Sequence, residues 1–220
     1  MKTWLRDNGL TVALVTLFLA SLIGQAVTGF AQENEERIQH GQILLHFGEY
    51  LRTGAFLSAL FENWESEFLQ MWAYVMLTAY LFQRGSPESK DPDEDAPQDR
   101  DPALDGDKAS APAPVRKGGL ALRLYSHSLG LALLTLFVLS FVLHFVNSAR
   151  HEQEEALEHH LPVPGLMEHL SSAQFWFESF QNWQSEFLST AVLVVLAIFL
   201  REKGSPESKP VSAPHSQTGT

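Results

Sequence analysis

The stretch Phe61-Glu-Asn-Trp-Glu-Ser-Glu-Phe-Leu69 occurs a second time in the chain, 119 residues later, as Phe180-Gln-Asn-Trp-Gln-Ser-Glu-Phe-Leu188. At the same shift, Gly85-Ser-Pro-Glu-Ser-Lys90 recurs without change as Gly204-Ser-Pro-Glu-Ser-Lys209. Across the 30 positions that end at this lysine, 16 are identical, and the same ungapped shift aligns the apolar segments further upstream. The sequence therefore indicates a tandem duplication, with two copies of one structural unit.

Each copy contains two apolar runs that lack Asp, Glu, Lys and Arg. The long runs are residues 10–30 and 129–146, and the short runs are residues 68–82 and 187–200. A helix of about 20 residues crosses a hydrocarbon core of about 30 Å, and the short runs reach that length together with the aromatic clusters that precede them. The sequence therefore predicts an all-α integral membrane protein with four transmembrane helices. We expect two parallel tandem repeats of a helical hairpin, with the bundle extended on the outer side.

The distribution of lysine and arginine predicts the topology. Of the 15 basic residues, twelve fall on the side of the termini, and only Arg37, Arg52 and Arg150 fall on the other side. Because cytoplasmic loops carry the excess of basic residues, we expect both termini and the central linker in the cytoplasm. A cleaved signal peptide is not expected, since the first apolar run is too long and has a second copy deep inside the chain.

Four segments follow from this pattern. Residues 1–90 form the first two-span repeat, and residues 120–209 form the second. Residues 91–119 form an acidic, proline-rich cytoplasmic linker, and residues 210–220 form a polar tail. Because neither of these segments can bury enough apolar surface to offset its ordering entropy, both are predicted to be disordered.

The ends of the two first helices are predicted to differ. Gly41 offers a stop for the helix of the first copy. The equivalent helix of the second copy is expected to run past Glu158 until Pro162 forces it to end.

Composition excludes several classes of function. The 220 residues carry a net charge of −11 and include no cysteine. Disulfides, thiolate metal sites and a cysteine nucleophile are therefore excluded, and the acidic balance argues against a nucleic-acid partner. No phosphate-binding glycine loop and no Gly-x-Ser-x-Gly elbow are present. The expected partners are the lipid bilayer and a second copy or another membrane protein, with no cofactor other than a possible divalent metal.

The Asn-Trp-x-Ser-Glu-Phe motif lies at the outer edge of the second and fourth predicted spans. Polar groups so close to hydrocarbon are expected to hydrogen-bond a neighbouring helix, or to line a transport path. The residues predicted to make interhelical polar contacts are Asn63, Ser66, Glu67, Asn182, Ser185 and Glu186. Trp64 and Trp183 are predicted to be interfacial aromatic residues.

A second repeated pattern lies on the polar ends of the first and third predicted spans. Glu33, Glu36 and His40 of the first copy recur as Glu152, Glu155 and His159 of the second. Carboxylate and imidazole groups at helical spacing are candidate ligands for a divalent metal. The alternative is an acidic helix face that is simply solvated.

Three motifs together resemble a known family. They are Glu-Glu-x-x-x-His at residues 35–40, the tryptophan-centred stretch at 61–71 and Arg-Gly-Ser-Pro-Glu-Ser-Lys at 84–90. The chain resembles, over nearly its whole length except the linker and the tail, a family of small bacterial integral membrane proteins classified as a domain of unknown function. The resemblance implies a location in the bacterial inner membrane and implies no activity.

The expected function is a non-enzymatic structural or interaction role in a multi-pass inner-membrane protein. One alternative is a small transporter or channel that acts as an oligomer, with Glu67 and Glu186 along its path. The other is a membrane protein that holds a metal on its outer helical segments.

Overall fold

A computed structural model of the chain describes residues 2–219, and every regular element among them is helical. The helices are α1 (Lys2–Gln39), α2 (Phe47–Tyr50), α3 (Gly54–Tyr80), α4 (Ala113–Lys117), α5 (Gly119–Ser126), α6 (Ser128–Glu158), α7 (Leu166–Leu170) and α8 (Ala173–Phe199). Two short 3₁₀ turns, Pro97–Asp99 and Pro102–Asp105, lie in the segment predicted to be a linker.

The bounds of the long helices recur at the spacing of the sequence repeat. Helices α3 and α8 are both 27 residues long, and they begin at Gly54 and Ala173. Helices α1 and α6 end at Gln39 and Glu158. Both pairs of positions differ by the same 119 residues. The starts of α1 and α6 do not recur, because α1 begins at Lys2, whereas the equivalent part of the second copy is divided into α5 and α6 at His127.

The starts of α3 and α8 are capped by equivalent hydroxyl groups. The backbone N–H of Phe56 donates to Thr53 Oγ1 at 3.2 Å, and the backbone N–H of Phe175 donates to Ser172 Oγ at 3.2 Å. Such caps satisfy one of the free N–H groups in the first helical turn.

The ends of α1 and α6 also follow one pattern. Gly41 has a φ of 67°, and the N–H after it, that of Gln42, donates to Arg37 O at 2.8 Å. His160 takes the same left-handed conformation with a φ of 55°, and Leu161 N donates to Ala156 O at 2.8 Å. The expectation that α6 runs on to Pro162 is therefore wrong. A Schellman-type end forms without glycine, although a left-handed conformation costs a non-glycine residue about 1–2 kcal/mol.

Three helices are long and apolar enough to cross a membrane, judged on the described residues by length and composition. They are Thr3–Gln39, Ser128–Glu158 and Ala173–Phe199. Helix α3, which contains the second predicted span, is not among them. It carries Trp72 and Tyr74 where α8 carries the aliphatic residues Ala191 and Leu193, so it is less apolar at equal length.

The chain divides into two compact units. The first unit comprises Met1–Leu60 with Leu143–His169, and the second comprises Phe61–Val142 with Leu170–Thr220. In the first unit, a small core forms where Ala26, Tyr50 and Phe56 are buried together. The rings of Tyr50 and Phe56 lie 5.2 Å apart, so this core holds α1, α2 and the start of α3 together.

Hydrogen bonds between helix and loop in the first unit also follow the repeat. The Asn34 side chain donates to Leu45 O at 3.1 Å and accepts from Leu45 N at 2.8 Å. At the equivalent positions, Gln153 Nε2 donates to Pro164 O at 2.9 Å. An amide side chain on the long helix thus holds the following loop in each copy.

Candidate functional site

Helices α3 and α8 face each other in the second unit through three side-chain hydrogen bonds. Trp183 Nε1 donates to Glu65 Oε1 at 3.0 Å, and Glu65 is fully buried. Asn182 donates to Glu62, and Gln70 donates to Thr190. We call this set the polar seam, and its members are Glu62, Glu65, Gln70, Asn182, Trp183 and Thr190.

The polar seam contains two of the residues singled out from the sequence, Asn182 and Trp183. The hydroxyls of Ser66 and Ser185 instead donate to carbonyls of their own helices, those of Asn63 and Asn182, at 2.9 and 2.8 Å. Such bonds within one helix do not set how two helices pack.

Glu67 and Glu186, at equivalent positions of the two copies, lie close enough for their carboxylates to interact electrostatically. Trp64, the counterpart of Trp183, packs edge-on against Phe61 with ring centroids 5.5 Å apart.

The sequence reasoning missed Glu62, Glu65, Gln70 and Thr190. Glu65 belongs to the same repeated motif, but Asn63 and Glu67 drew attention because they share a helix face at a spacing of four residues. The face that meets α8 is a neighbouring one. Only the buried carboxylate opposite an indole N–H identifies it.

An aromatic cluster supports the indole of Trp183. Phe175 is fully buried and packs against Phe141 with ring centroids 5.7 Å apart. Phe180 lies 5.6 Å from Trp176 and 5.3 Å from Trp183. These edge-on and tilted contacts leave the indole N–H of Trp183 directed at Glu65.

Each of α3 and α8 is followed by one copy of the identical hexapeptide, and we call these copies the first GSPESK turn (residues 85–90) and the second GSPESK turn (residues 204–209). Gly85 and Gly204 have φ values of 87° and 92°, a region that favours glycine. In both turns the first serine accepts from the glutamate N–H at 3.2 Å. In both, the second serine accepts from the N–H six residues upstream at 2.9 Å. The hexapeptide therefore folds the same way twice.

The glutamates of the two turns meet. The carboxyl groups of Glu88 and Glu207 lie close enough to hydrogen-bond, and Tyr74 Oη donates to Glu88 Oε2 at 3.2 Å. Burial raises the pKa of Glu88, and the neighbouring Glu207 raises it further. Two ionised carboxylates side by side repel each other, so ionisation of Glu88 next to Glu207 is less favourable than that of an isolated carboxyl group.

A groove of about 470 Å³ runs between α3 and α8 and ends at this carboxyl pair. We call it the α3–α8 groove. Its apolar lining includes Leu77, Leu81, Phe82, Phe187 and Val194. Glu88 lines the groove beside Tyr74, while Gln70 and Thr190 of the polar seam line it as well.

The tail, predicted to be disordered, lies in contact with both GSPESK turns. The Lys209 ammonium is 1% exposed and donates to Gly85 O at 2.6 Å, His215 O at 2.9 Å and Gln217 O at 3.0 Å. Gly85 N in turn donates to Thr218 Oγ1 at 2.9 Å. Burial, and the nearby Arg201, lower the pKa of Lys209. This lysine therefore fastens residues 210–219 to the first GSPESK turn.

The candidate metal ligands lie in the first unit. Five of the six line one cleft of about 130 Å³, and these are Glu33, Glu36, His40, Glu155 and His159. Arg37 also lines this cleft, where its guanidinium bonds Glu33 at 2.7 Å and approaches Glu158 to 3.7 Å. Among residues 2–219, no group of three or more acidic or histidine side chains has an arrangement suited to a metal ion. Metal binding on these segments stays a prediction.

Glu152, the sixth candidate, has a different partner. It hydrogen-bonds Nδ1 of His169, whose Nε2 lies 3.1 Å from Ser148 Oγ, and His169 is 2% exposed. Ser148 and Glu152 are one turn apart on α6, so His169 of α7 bridges two groups on one helix face. The sequence reasoning missed this contact because His169 is a lone histidine outside the predicted spans.

In the first copy, different residues make the equivalent contact between the short helix and the long helix. Tyr50 occupies the position equivalent to His169, and Gly29 the position equivalent to Ser148. The Tyr50 hydroxyl lies where a Cβ on Gly29 would be, and Glu33 is near. Burial and Glu33 raise the pKa of Tyr50.

The regular elements of residues 2–219 are all helical, and three of the helices are long and apolar enough to cross a membrane. These are features of helical membrane proteins. More specifically, the chain belongs to the family described as a domain of unknown function, DUF6766, whose family model matches residues 1–220. The resemblance to a family classified as a domain of unknown function is thereby confirmed. No curated protein and no solved structure shows significant similarity to the chain.

Proposed function

We propose that this chain is a four-span protein of the inner membrane with a structural or interaction role rather than a catalytic one. Its two hairpin repeats run parallel, and both termini and the linker lie in the cytoplasm. The observation that carries the proposal is the polar seam, because it joins α3 of the first repeat to α8 of the second. Hydrogen bonds of this kind hold helices together in hydrocarbon, where apolar burial between helices contributes little.

Three features support α3 as a membrane span, in addition to the three helices named above. Its bounds match those of α8, and both helices lead into the same GSPESK turn. Its charged side chains Glu62 and Glu65 have partners on α8, which lowers the cost of placing them near the bilayer. The part of α3 from residue 68 onward is uncharged.

A small transporter is the second candidate. It is favoured by the α3–α8 groove and by the two carboxylates, Glu67 and Glu186, that interact at equivalent positions. Acidic groups within membrane helices commonly mark ion or proton paths. The apolar lining of the groove speaks against a hydrated pore through one copy of the chain, so this role would require an oligomer.

Reporter fusions test the proposed topology. Fusions at Gly106 and after the C-terminus should report the cytoplasm, and fusions at Gly54 and Gly165 should report the outer side. Opposite signals at Gly106 and at the C-terminus would rule out four spans and the parallel repeats, because an even number of spans must separate these sites.

A further inference from the structure

We propose that the α3–α8 groove binds an amphiphilic organic cation, a molecule with one positive charge and an aromatic or alkyl body. The inference deepens the proposed function, and it rests on the placement of α3 and α8 side by side in the membrane. No catalytic step is part of it.

The size of the groove suits such a ligand. Small-molecule sites in proteins commonly have volumes of about 300–1,000 Å³, and the groove measures about 470 Å³. It lies between two helices that the polar seam holds at a set distance through Gln70 and Thr190. A site between packed helices is largely formed before its ligand arrives, which lowers the entropic cost of binding.

The walls of the groove select an apolar body. Leu77, Leu81 and Val194 present aliphatic surface, while Phe82 and Phe187 present rings. Burial of apolar ligand surface against such walls is favourable by about 25 cal/mol per Å². Polar ligands such as sugars would leave their hydroxyls without partners along these walls.

The end of the groove selects a positive charge. Glu88 lines the groove, and the carboxyl group of Glu207 lies beside that of Glu88, so acidic groups are concentrated at this end of the groove. The described residues that line the groove include no lysine, arginine or histidine, and the Lys90 ammonium near Phe82 is already paired with Asp99. An anion would be repelled, and a neutral molecule would gain nothing from the carboxylate.

Aromatic rings add to the preference for a cation. Tyr74 stands beside Glu88 on the groove wall, and its hydroxyl orients one carboxylate oxygen. The ring of Phe82 already has the Lys90 ammonium 5.7 Å from its centroid on the linker side. The electron-rich face of an aromatic ring attracts a cation. A metal ion fits poorly, because a hard cation requires several oxygen ligands and the groove walls are hydrocarbon.

A pair of probes with the same shape and opposite charge tests this inference. We would measure the binding of tetraphenylphosphonium and of tetraphenylborate to the purified full-length protein in detergent by equilibrium dialysis. The expected result is saturable binding of the phosphonium and no saturable binding of the borate. Because both ions partition into detergent, the same measurements on protein-free micelles provide the baseline.

Matched variants locate the site. Glu88→Gln keeps the shape and the hydrogen-bonding capacity but removes the charge, and it should raise the Kd for the phosphonium at least tenfold. Ala191→Trp, which fills the groove, should abolish binding. Glu202→Gln, outside the groove, should leave the Kd unchanged. Gel filtration and thermal unfolding of each variant identify any that fail to fold, and Glu207→Gln then serves as the second test of the carboxyl pair.

Two results would overturn the inference. One is equal binding of the two probes, which would mean that lipid or detergent alone covers the groove. The other is binding that Glu88→Gln and Ala191→Trp leave unchanged in folded protein. Failure of the proposed topology is distinguishable, because the reporter fusions detect it without any ligand and the dialysis detects binding without any membrane orientation.

Discussion

The two GSPESK turns have the same sequence and the same local hydrogen bonds, yet their lysines hold different parts of the chain. Lys209 is buried among carbonyls of the tail and of Gly85. Lys90 instead forms an ion pair with Asp99 of the linker, at 2.7 Å. The hexapeptide determines its own turn, whereas the segment that follows each copy determines what the lysine binds.

The opposite ends of the repeats show the same division. In the first copy, Tyr50 packs against the backbone at Gly29, while in the second, His169 bridges Ser148 and Glu152. In the first copy a large ring faces a glycine, and in the second copy a smaller ring faces a serine hydroxyl. Both members of each contact therefore differ between the two copies, while α1 and α6 end at equivalent positions.

The largest effect is expected at the start of α3, where the first copy has Gly54 and the second has Ala173. A Cβ on Gly54 would lie 2.6 Å from His151 N and 2.9 Å from Asn147 O, both backbone atoms of α6. Because a helix backbone cannot yield locally, Gly54→Ala should lower the free energy of unfolding by about 3 kcal/mol. The measurement is unfolding in detergent.

Gly24→Ala is the control for this change. A Cβ there meets no atom within 4 Å, so alanine should be neutral or stabilise α1 by up to about 1 kcal/mol. Equal stability of the Gly54→Ala and Gly24→Ala variants would mean that α3 and α6 are not in backbone contact.

The second prediction compares the loss of stability when each lysine of the two GSPESK turns is replaced. Lys209→Met removes the donor to the buried carbonyl of Gly85 and to the part-buried carbonyls of His215 and Gln217, and should cost about 2–3 kcal/mol, since an unsatisfied buried acceptor is expensive. Lys90→Met removes a pair whose acid, Asp99, is exposed, and should cost about 1 kcal/mol or less. Proteolysis of the tail, followed by mass spectrometry, should speed up only in Lys209→Met. Equal losses of stability, with equal proteolysis, would refute the difference between the two turns.

Much of the fold follows from the sequence for a physical reason. Helix bounds depend on local signals, and the repeated Thr53 and Ser172 caps, with Gly85 and Gly204 after the helices, are local signals. The end of α6 was missed because His160 adopts a conformation that glycine usually takes, and only its alignment with Gly41 in the repeat marks this.

The candidate site was predictable only in part. The motif at 61–69 drew attention to Glu67, but which face of α3 meets α8 depends on how the two helices cross, and the buried residue is Glu65. The tail was expected to be disordered because it has few apolar residues. Hydropathy does not measure the pairing of an ammonium group with backbone carbonyls, which is what holds it.

The third effect exchanges residues between the copies. Gly29→Ser places a side chain on the Tyr50 hydroxyl and should cost about 2 kcal/mol by overpacking. The double change Gly29→Ser with Tyr50→His installs the pair found in the second copy, with Glu33 in the place of Glu152, and should recover at least half of that loss. A double variant no more stable than Gly29→Ser alone, in thermal unfolding, would show that the two positions do not compensate for each other.

The smallest effect is a dependence on alkaline pH that comes from Tyr50, whose place His169 takes in the second copy. The pKa of Tyr50 is raised by burial and by Glu33, so the folded state holds the phenol proton more tightly than the unfolded state. The stability from the neutral phenol is complete below about pH 10 and is lost as the pH rises through the raised pKa. Tyr50→Phe should therefore flatten the fall of the unfolding midpoint above about pH 10. An unchanged slope would mean that Tyr50 ionises equally in both states.

The central claim is that one helix from each repeat meets the other in a parallel arrangement, so that the two GSPESK turns lie side by side. Because the chain has no cysteine, a variant with both Glu88→Cys and Glu207→Cys carries only the two introduced thiols. In native membranes, a short thiol cross-linker should join these two positions within one chain, as shown by peptide mass analysis, while variants with Glu88→Cys or Glu207→Cys alone provide the background. Absence of the cross-link between positions 88 and 207, with both thiols open to labelling from the cytoplasm, would contradict the account.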